Sequence, residues 1–374
     1  KMNFYFLSAF SFIFNILFLL TCNKFGDIFL EYLTIYIYVN FFICCFGSLQ
    51  FYIQKKNNLI NFNIEIKLLK ILVLLLTIGY IYYLFKDLSL SIIYISTLVS
   101  SLIIHLKICS QTFLNKLFSN ASYLFIVSFV KFTIIFFSYL FNLQFIYSMI
   151  FINLLIILLS IKFIYKIRLN FNNKNSFNLI SCMNNLFGTT TTTLDKLYVI
   201  HVLPTLSATY YLIFKIASIY QFLTEVVFRK ERFEITSGEY LENKKVLLLK
   251  FSFLFINIVI FNIVVKLSIQ FFQNYLDILL LDDFLLIIKN NVDSISIFFL
   301  GFLINAVSGL SYDQIYKEYL YKKVMNINIF LSLMYIVLLV FYGSSIIFMS
   351  LIFLFSQVVE LCLIYFRKYS LNVK

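Results

Sequence analysis

The chain has 374 residues, 62% of them hydrophobic and 13% charged, with a formal net charge of +13. Its mean hydropathy of +0.94 excludes a water-soluble globular domain, because no soluble core hides that much apolar surface. The basic residues lie between apolar runs rather than on one contiguous face, so the charge reads as topological and no nucleic-acid partner is expected.

Apolar runs of about 20 residues recur from end to end, each long enough to cross a hydrocarbon layer of roughly 30 Å as a helix. The spacing predicts twelve spans. In the first half they cover about 3 to 22, 28 to 53, 68 to 85, 89 to 106, 120 to 141 and 144 to 163. In the second half they cover about 177 to 200, 206 to 228, 246 to 265, 294 to 311, 326 to 342 and 345 to 366. The first run lacks a small-residue cleavage site and is expected to be a retained helix. Strands are expected nowhere, because a membrane barrel would alternate in segments of about 10 residues. The expected fold class is therefore an all-α membrane protein.

Basic residues set the orientation. Most of the 30 Lys and Arg fall at the two termini and after the even-numbered spans, as in Lys55, Lys56, Lys166, Arg168, Arg229, Arg232, Lys322 and Arg367. The opposite side carries Lys24, Lys86, Lys266 and Lys289. Both termini are expected in the cytoplasm, and the chain in the inner (plasma) membrane. The outer segment from Lys266 to Ser294, with Asp277, Asp282, Asp283 and Asp293, is expected to hold a short interfacial helix. The inner connection from Arg229 to Lys245 can fold as a short surface helix. A polar loop, RLNFNNKN, spans Arg168 to Asn175 and divides the chain into two six-span halves, 1–168 and 169–374. An even number of spans per half makes the halves a parallel repeat about an axis along the membrane normal.

Polar groups inside apolar spans carry the functional reading, since an intramembrane charge costs about 3 kcal/mol on insertion scales and usually faces a cavity or a partner. Span seven is unusually polar, with Asn184, Asn185, Gly188, the threonines Thr189 to Thr193 including Thr192, then Asp195 and Lys196. It is expected to line a water-filled cavity, with Asp195 and Lys196 near the mouth. Helix packing through the threonine hydroxyls is the structural alternative. In span eight, Tyr211, Lys215, Ser218 and Phe222 fall on one face. Lys215 then sits in a lumen, snorkels toward the interface or pairs with Asp195, and Lys131 of span five has the same ambiguity. Glu31, Glu225 and Glu360 are the membrane-embedded acids, and a carboxyl in such a site can bind a coupling proton or sodium ion. Asp195, Glu31 and Glu360 are the ion-coupling candidates.

The six cysteines show no CxxC pair, and the two histidines, His105 and His201, lie far apart. Neither a zinc site nor a Ser-His-Asp triad is supported, and no cofactor is expected. No phosphate loop or ATPase motif occurs.

On these residues the chain resembles the polysaccharide transporters, or O-antigen flippases, of the multidrug/oligosaccharidyl-lipid/polysaccharide exporter superfamily. The best local match is LDKLYVIHVLPTLSATYYLIFKIASIYQF, Leu194 to Phe222: an Asp-basic pair, a short turn, a Tyr, then a basic residue. Asp195, Lys196, Tyr210 or Tyr211 and Lys215 occupy those places. FGDIFLEY, Phe25 to Tyr32, is similar to the turn after the first span. Lys196 stands where Arg is commoner, and Ala208 replaces a glycine. The resemblance implies a non-enzymatic flippase for a polyprenyl-diphosphate-linked oligosaccharide, an O-antigen or capsule repeat unit. It would work by alternating access between the two halves, alongside membrane lipids and polysaccharide polymerase machinery. Lys131, Lys196 and Lys215 would hold the diphosphate, and Tyr211, Asn184, Asn185 and Thr192 would line the cavity. The competing readings are an integral-membrane polysaccharide polymerase and a cation-coupled small-molecule or drug exporter.

Overall fold

The structure is a computed structural model. It describes residues 2–44, 53–56, 59–113, 117–165, 167–172, 177–228, 231, 244–272, 281–317 and 321–371. Helices α1 to α6 are Met2–Asn23, Asp27–Cys44, Ile66–Lys86, Leu88–Phe113, Leu117–Leu140 and Phe145–Leu159. Helices α7 to α12 are Phe177–Val202, Pro204–Val227, Lys244–Phe272, Leu281–Lys317, Tyr321–Tyr342 and Ile346–Leu371. The expected spans overlap these helices, but span two, expected to run to 53, is helical to Cys44, with 45–52 outside the described residues and Ile53 in a strand. Span six, expected to run to 163, gives way after Leu159 to a separate short helix, Ile161–Ile164.

Among the described residues, seven helical stretches are long and apolar enough to cross a membrane. They are Phe6–Asn23, Leu88–Ile108, Ala121–Leu140, Lys245–Ser268, Leu286–Leu310, Val324–Tyr342 and Ile346–Ile364, with Val73–Lys86 and Phe145–Leu159 as shorter apolar helices. A helix closes its own backbone hydrogen bonds, which hydrocarbon requires of anything that crosses it. Hydroxyls in these helices follow the same rule: those of Thr21, Thr34, Ser128 and Ser138 donate to the carbonyls of Leu17, Leu30, Leu124 and Ile134 one turn back.

The turns follow local chemistry. Gly26, at φ +64, turns the chain between α1 and α2, a backbone region that costs glycine nothing. Asn142, at φ 53, ends α5. The Leu143 N–H reaches the Ser138 carbonyl and the Asn142 N–H the Tyr139 carbonyl, the bonding pattern of a left-handed helix cap. Asp87 starts α4, its carboxylate accepting from the Ser89 N–H at 2.9 Å and the Ser89 hydroxyl at 2.6 Å. Pro204, the one proline of the chain, opens α8, where its missing N–H costs nothing.

The expectation of no strands is corrected. Three short strands, β1 Ile53–Lys56, β2 Leu59–Glu65 and β3 Ile167–Asn172, form a small sheet in that order. Strands β1 and β2 are antiparallel, whereas β2 and β3 are parallel with Ile60 opposite Ile167, Phe62 opposite Leu169 and Ile64 opposite Phe171. The alternation LINFNIE and IRLNFN has the period of a strand, and it lies in the connections outside the apolar spans.

The chain forms two compact units, Lys1–Thr189 and Thr190–Lys374. In the first, α1 packs on α5, α2 and α3 on α4, and α4 and α5 on α6. Polar side chains stitch these helices together. Asn153 of α6 donates to Ser96 and Thr97 of α4 at 3.1 Å and accepts from Ser100 at 2.9 Å. The hydroxyls of Ser11 and Ser128 join α1 to α5 at 2.9 Å. In the second unit, α8, α9 and α12 pack on α10, and α11 packs on α12.

Within the segment where an interfacial helix is expected, α10 bends at Asn291 (φ −128, ψ 16). The Asn291 side-chain amide takes the Ile287 carbonyl at 2.9 Å, a local substitute for a backbone bond and a known source of helix bending. The outer stretch 273–280 and the inner connection 232–243 lie outside the described residues.

Candidate functional site

The second unit holds a buried polar cluster inside an aromatic core. Asp195 of α7 has no exposed surface. Its Oδ1 accepts from the Lys196 backbone N–H at 2.8 Å and faces the Lys196 Nζ at 3.4 Å. Its Oδ2 accepts from the Tyr210 hydroxyl of α8. The same Lys196 ammonium stands 3.5 Å from the centroid of the Phe214 ring, so its charge is shared between a carboxylate and a π face. Phe214 in turn packs edge-on against Phe298, Phe302 and Phe353.

Lys215 follows Phe214 directly, and its ammonium feels that of Lys196. The cluster thus sets a second lysine near the one that pairs with Asp195. Tyr335 of α11 also lies in the field of Asp195. It is fully buried, and its hydroxyl has no hydrogen-bond partner among the described residues.

Two features hold this arrangement. Gly301 of α10 lets the Phe353 ring close on the helix backbone, since a Cβ there would sit 2.6 Å from a ring carbon. The Tyr220 hydroxyl donates to the Leu254 carbonyl, tying α8 to α9. Tyr220 also stacks on Phe299 of α10, centroids 4.7 Å apart.

Asp195 and Lys196, expected at a cavity mouth, are enclosed in the second unit. Asp195 pairs with its neighbour Lys196, not with Lys215, because the two are adjacent in the chain and the lysine stem folds back over Phe214. Tyr210, rather than Tyr211, binds the carboxylate, while Tyr211 is buried in the same helix. Tyr335 was missed by sequence reasoning: a tyrosine in an apolar span among 27 tyrosines carries no signal of its own.

In the first unit, the Lys131 ammonium of α5 lies 5.9 Å from the centroid of the Tyr36 ring and within electrostatic reach of buried Cys22. Asn184 is buried. The side chains of Asn185, Thr192 and Glu225 lie outside the described residues. Glu31 forms an ion pair with Lys86 of α3 at 2.5 Å, with 37% and 47% of the two side chains exposed. Glu360 is half-buried on α12, one turn beyond Gln357, which accepts from Asn305 of α10 at 2.6 Å.

Among the described residues, three ion pairs join segments far apart in the chain: Glu31 of α2 with Lys86 of α3, Lys266 of α9 with Asp293 of α10, and Glu231 with Lys250 of α9. Among the described residues, no group of three or more His, Cys, Asp or Glu is placed to hold a metal ion.

The fold and site define a helical membrane protein with a buried polar cluster built on Asp195, Lys196 and Tyr210. No family model, curated protein or solved structure matches the chain.

Proposed function

We propose that the chain is a flippase for a polyprenyl-diphosphate-linked oligosaccharide, carrying an O-antigen or capsule repeat unit from the cytoplasmic to the outer leaflet. In this reading all twelve helices span an inner (plasma) membrane, both termini are cytoplasmic, and two six-helix halves alternate in access. The protein is a transporter rather than an enzyme.

One observation carries the reading: Lys196, which pairs with Asp195, lies in the field of a second lysine, Lys215, inside the second unit. Two like charges set near one another in a low-dielectric interior repel. A diphosphate supplies both the compensating charge and several acceptor oxygens, and charge-assisted bonds to such oxygens are among the strong ones. An exporter of cationic compounds calls for the opposite sign of cluster. Lys131 supplies a further cation in the first unit, and the polar face of α7 supplies partners for sugar hydroxyls.

The test is surface-glycan assembly in a strain whose own copy is deleted, complemented at equal expression. Lys215→Ala and Lys131→Ala variants are expected to lose assembly and to accumulate the lipid-linked unit on the cytoplasmic side. Full assembly by both variants sinks the cationic-site reading. Accumulation of an unpolymerised unit that already faces outward in the deletion strain points instead to a polymerase.

A further inference from the structure

Three donors surround Asp195, and they are not held alike. Its Oδ1 is anchored by the Lys196 backbone N–H at 2.8 Å, but the Lys196 ammonium is at 3.4 Å. Charge-assisted N–H···O bonds are usually about 2.7–2.9 Å. That ammonium is better seated on the Phe214 ring and is repelled by Lys215. The carboxylate is therefore fixed by a backbone amide and by Tyr210, and it stays in place whether or not the ammonium does.

Tyr335 is the unexplained neighbour. A buried hydroxyl with no partner costs about 1–3 kcal/mol, and such groups need an account in terms of a second state or a missing partner. Tyr335 has no exposed surface, reaches the cluster from a different helix, α11, and its hydroxyl lacks a partner. A Cβ at Gly343, just past the end of α11, would come within 2.9 Å of a ring carbon of Tyr198 on α7, so the two helices meet one turn from Asp195, and Tyr335 lies in the field of Asp195 and Tyr210. Toward a carboxylate with spare lone pairs, a phenol serves as a donor.

We propose that Tyr335 is the alternate hydrogen-bond donor to Asp195, taking the place of the Lys196 ammonium when that ammonium leaves the carboxylate for an incoming phosphate-class anion. In the arrangement seen, Lys196 partly neutralises Asp195 and Tyr335 is idle. In the other, Lys196 and Lys215 both face the anion, and Tyr335 closes on Asp195, so that a binding event on α7 and α8 is transmitted to α11. Tyr335 is a positioning residue and acts through Asp195. The anion as trigger rests on the flippase reading, whereas the exchange of donors does not.

The test places 3-fluorotyrosine at position 335 of the full chain, in detergent, and reads its fluorine resonance. Lys196→Met removes the ammonium without any ligand and is expected to shift that resonance to a hydrogen-bonded position. Lys196→Gln, a second route to the same end, is expected to shift it likewise if the first variant folds poorly. Adding Asp195→Leu to Lys196→Met is expected to abolish the shift. An unmoved resonance in both Lys196 variants overturns the proposal. Inorganic diphosphate added to the otherwise unaltered chain is expected to give the same shift. If the Lys196 variants shift the resonance and diphosphate does not, the exchange of donors stands and the anion is overturned as its trigger.

Discussion

The Tyr210 hydroxyl donates to Oδ2 of Asp195, fifteen residues earlier in the chain, and so binds the start of α8 to the end of α7 inside a core with no exposed carboxylate surface. The Tyr335 hydroxyl is buried with nothing to bind among the described residues. The two tyrosines therefore respond differently to loss of their oxygen. Tyr210→Phe leaves a buried carboxylate short of a donor and is expected to cost about 1–3 kcal/mol. Tyr335→Phe removes an unsatisfied group and is expected to leave the melting temperature in detergent unchanged or higher. Equal losses in the two variants contradict this assignment.

How far these features were legible in the sequence depends on their chemistry. Apolar runs are set by lipid alone, so the long apolar helices stood out, and Asn184, Asp195, Lys196 and Lys215 stood out against them. The small sheet was legible in principle, in the alternation of Ile60, Phe62 and Ile64 with Asn61 and Asn63, but it was obscured by a rule written for barrels. Which tyrosine meets Asp195 depends on the angle between two helices, a tertiary quantity that neighbouring Tyr210 and Tyr211 do not reveal. The idle hydroxyl of Tyr335 depends on three helices at once, and periodicity within any one of them is silent about it.

Phe353 lies across the surface of α10 at Gly301, where a Cβ would approach a ring carbon to 2.6 Å. That ring also touches Phe214, Phe298 and Phe302. Gly301→Ala forces the ring to shift within a packed core, and overpacking of this kind costs about 1–3 kcal/mol. Gly26→Ala carries no such clash, but it places a side chain at φ +64, so its cost is backbone strain. Thermal unfolding of the two variants, with Gly301→Ala partly rescued by Phe353→Leu and Gly26→Ala not, separates the mechanisms.

The first unit offers a measure of hydrogen bonds inside the membrane. Asn153 contacts three hydroxyl residues of α4, yet Ser100 can also bond the Thr97 carbonyl on its own helix, at 3.1 Å. Interhelical hydrogen bonds in membrane proteins average about 0.6 kcal/mol, because freed groups find other partners. Asn153→Leu, close in volume, is expected to lower stability by about 1 kcal/mol, readable as a small shift in resistance to denaturing detergent. Complete loss of the folded protein would mean that the network specifies how α4 and α6 pair.

Glu31 and Lys86 form an ion pair with both side chains partly exposed. Exposed pairs contribute about 0–1 kcal/mol and weaken with salt. Glu31→Gln is expected to change stability by less than about 1 kcal/mol, with the difference fading at high salt. As an ion-coupling residue Glu31 would instead be indispensable, so normal surface-glycan assembly by Glu31→Gln assigns it to helix-end pairing, and total loss of assembly restores it as a coupling group.

Asp87 connects α3 to α4 outside the apolar spans, and its carboxyl is held below the usual range by hydrogen bonds from the Ser89 hydroxyl and then the Ser89 amide. A group whose pKa is lower folded than unfolded stabilises the fold above its unfolded pKa, near about 3.9, and loses that contribution as pH falls through the folded pKa. The start of α4 is therefore expected to be insensitive to pH across the neutral range and to loosen only in acid. Ser89→Ala removes the larger of the two causes and leaves the amide bond, so the Asp87 carboxyl is expected to titrate closer to its ordinary value. Carbon-13 detection of the Asp87 carboxyl in the two proteins measures the difference, and coincident titrations would show that the hydroxyl contributes nothing to the cap.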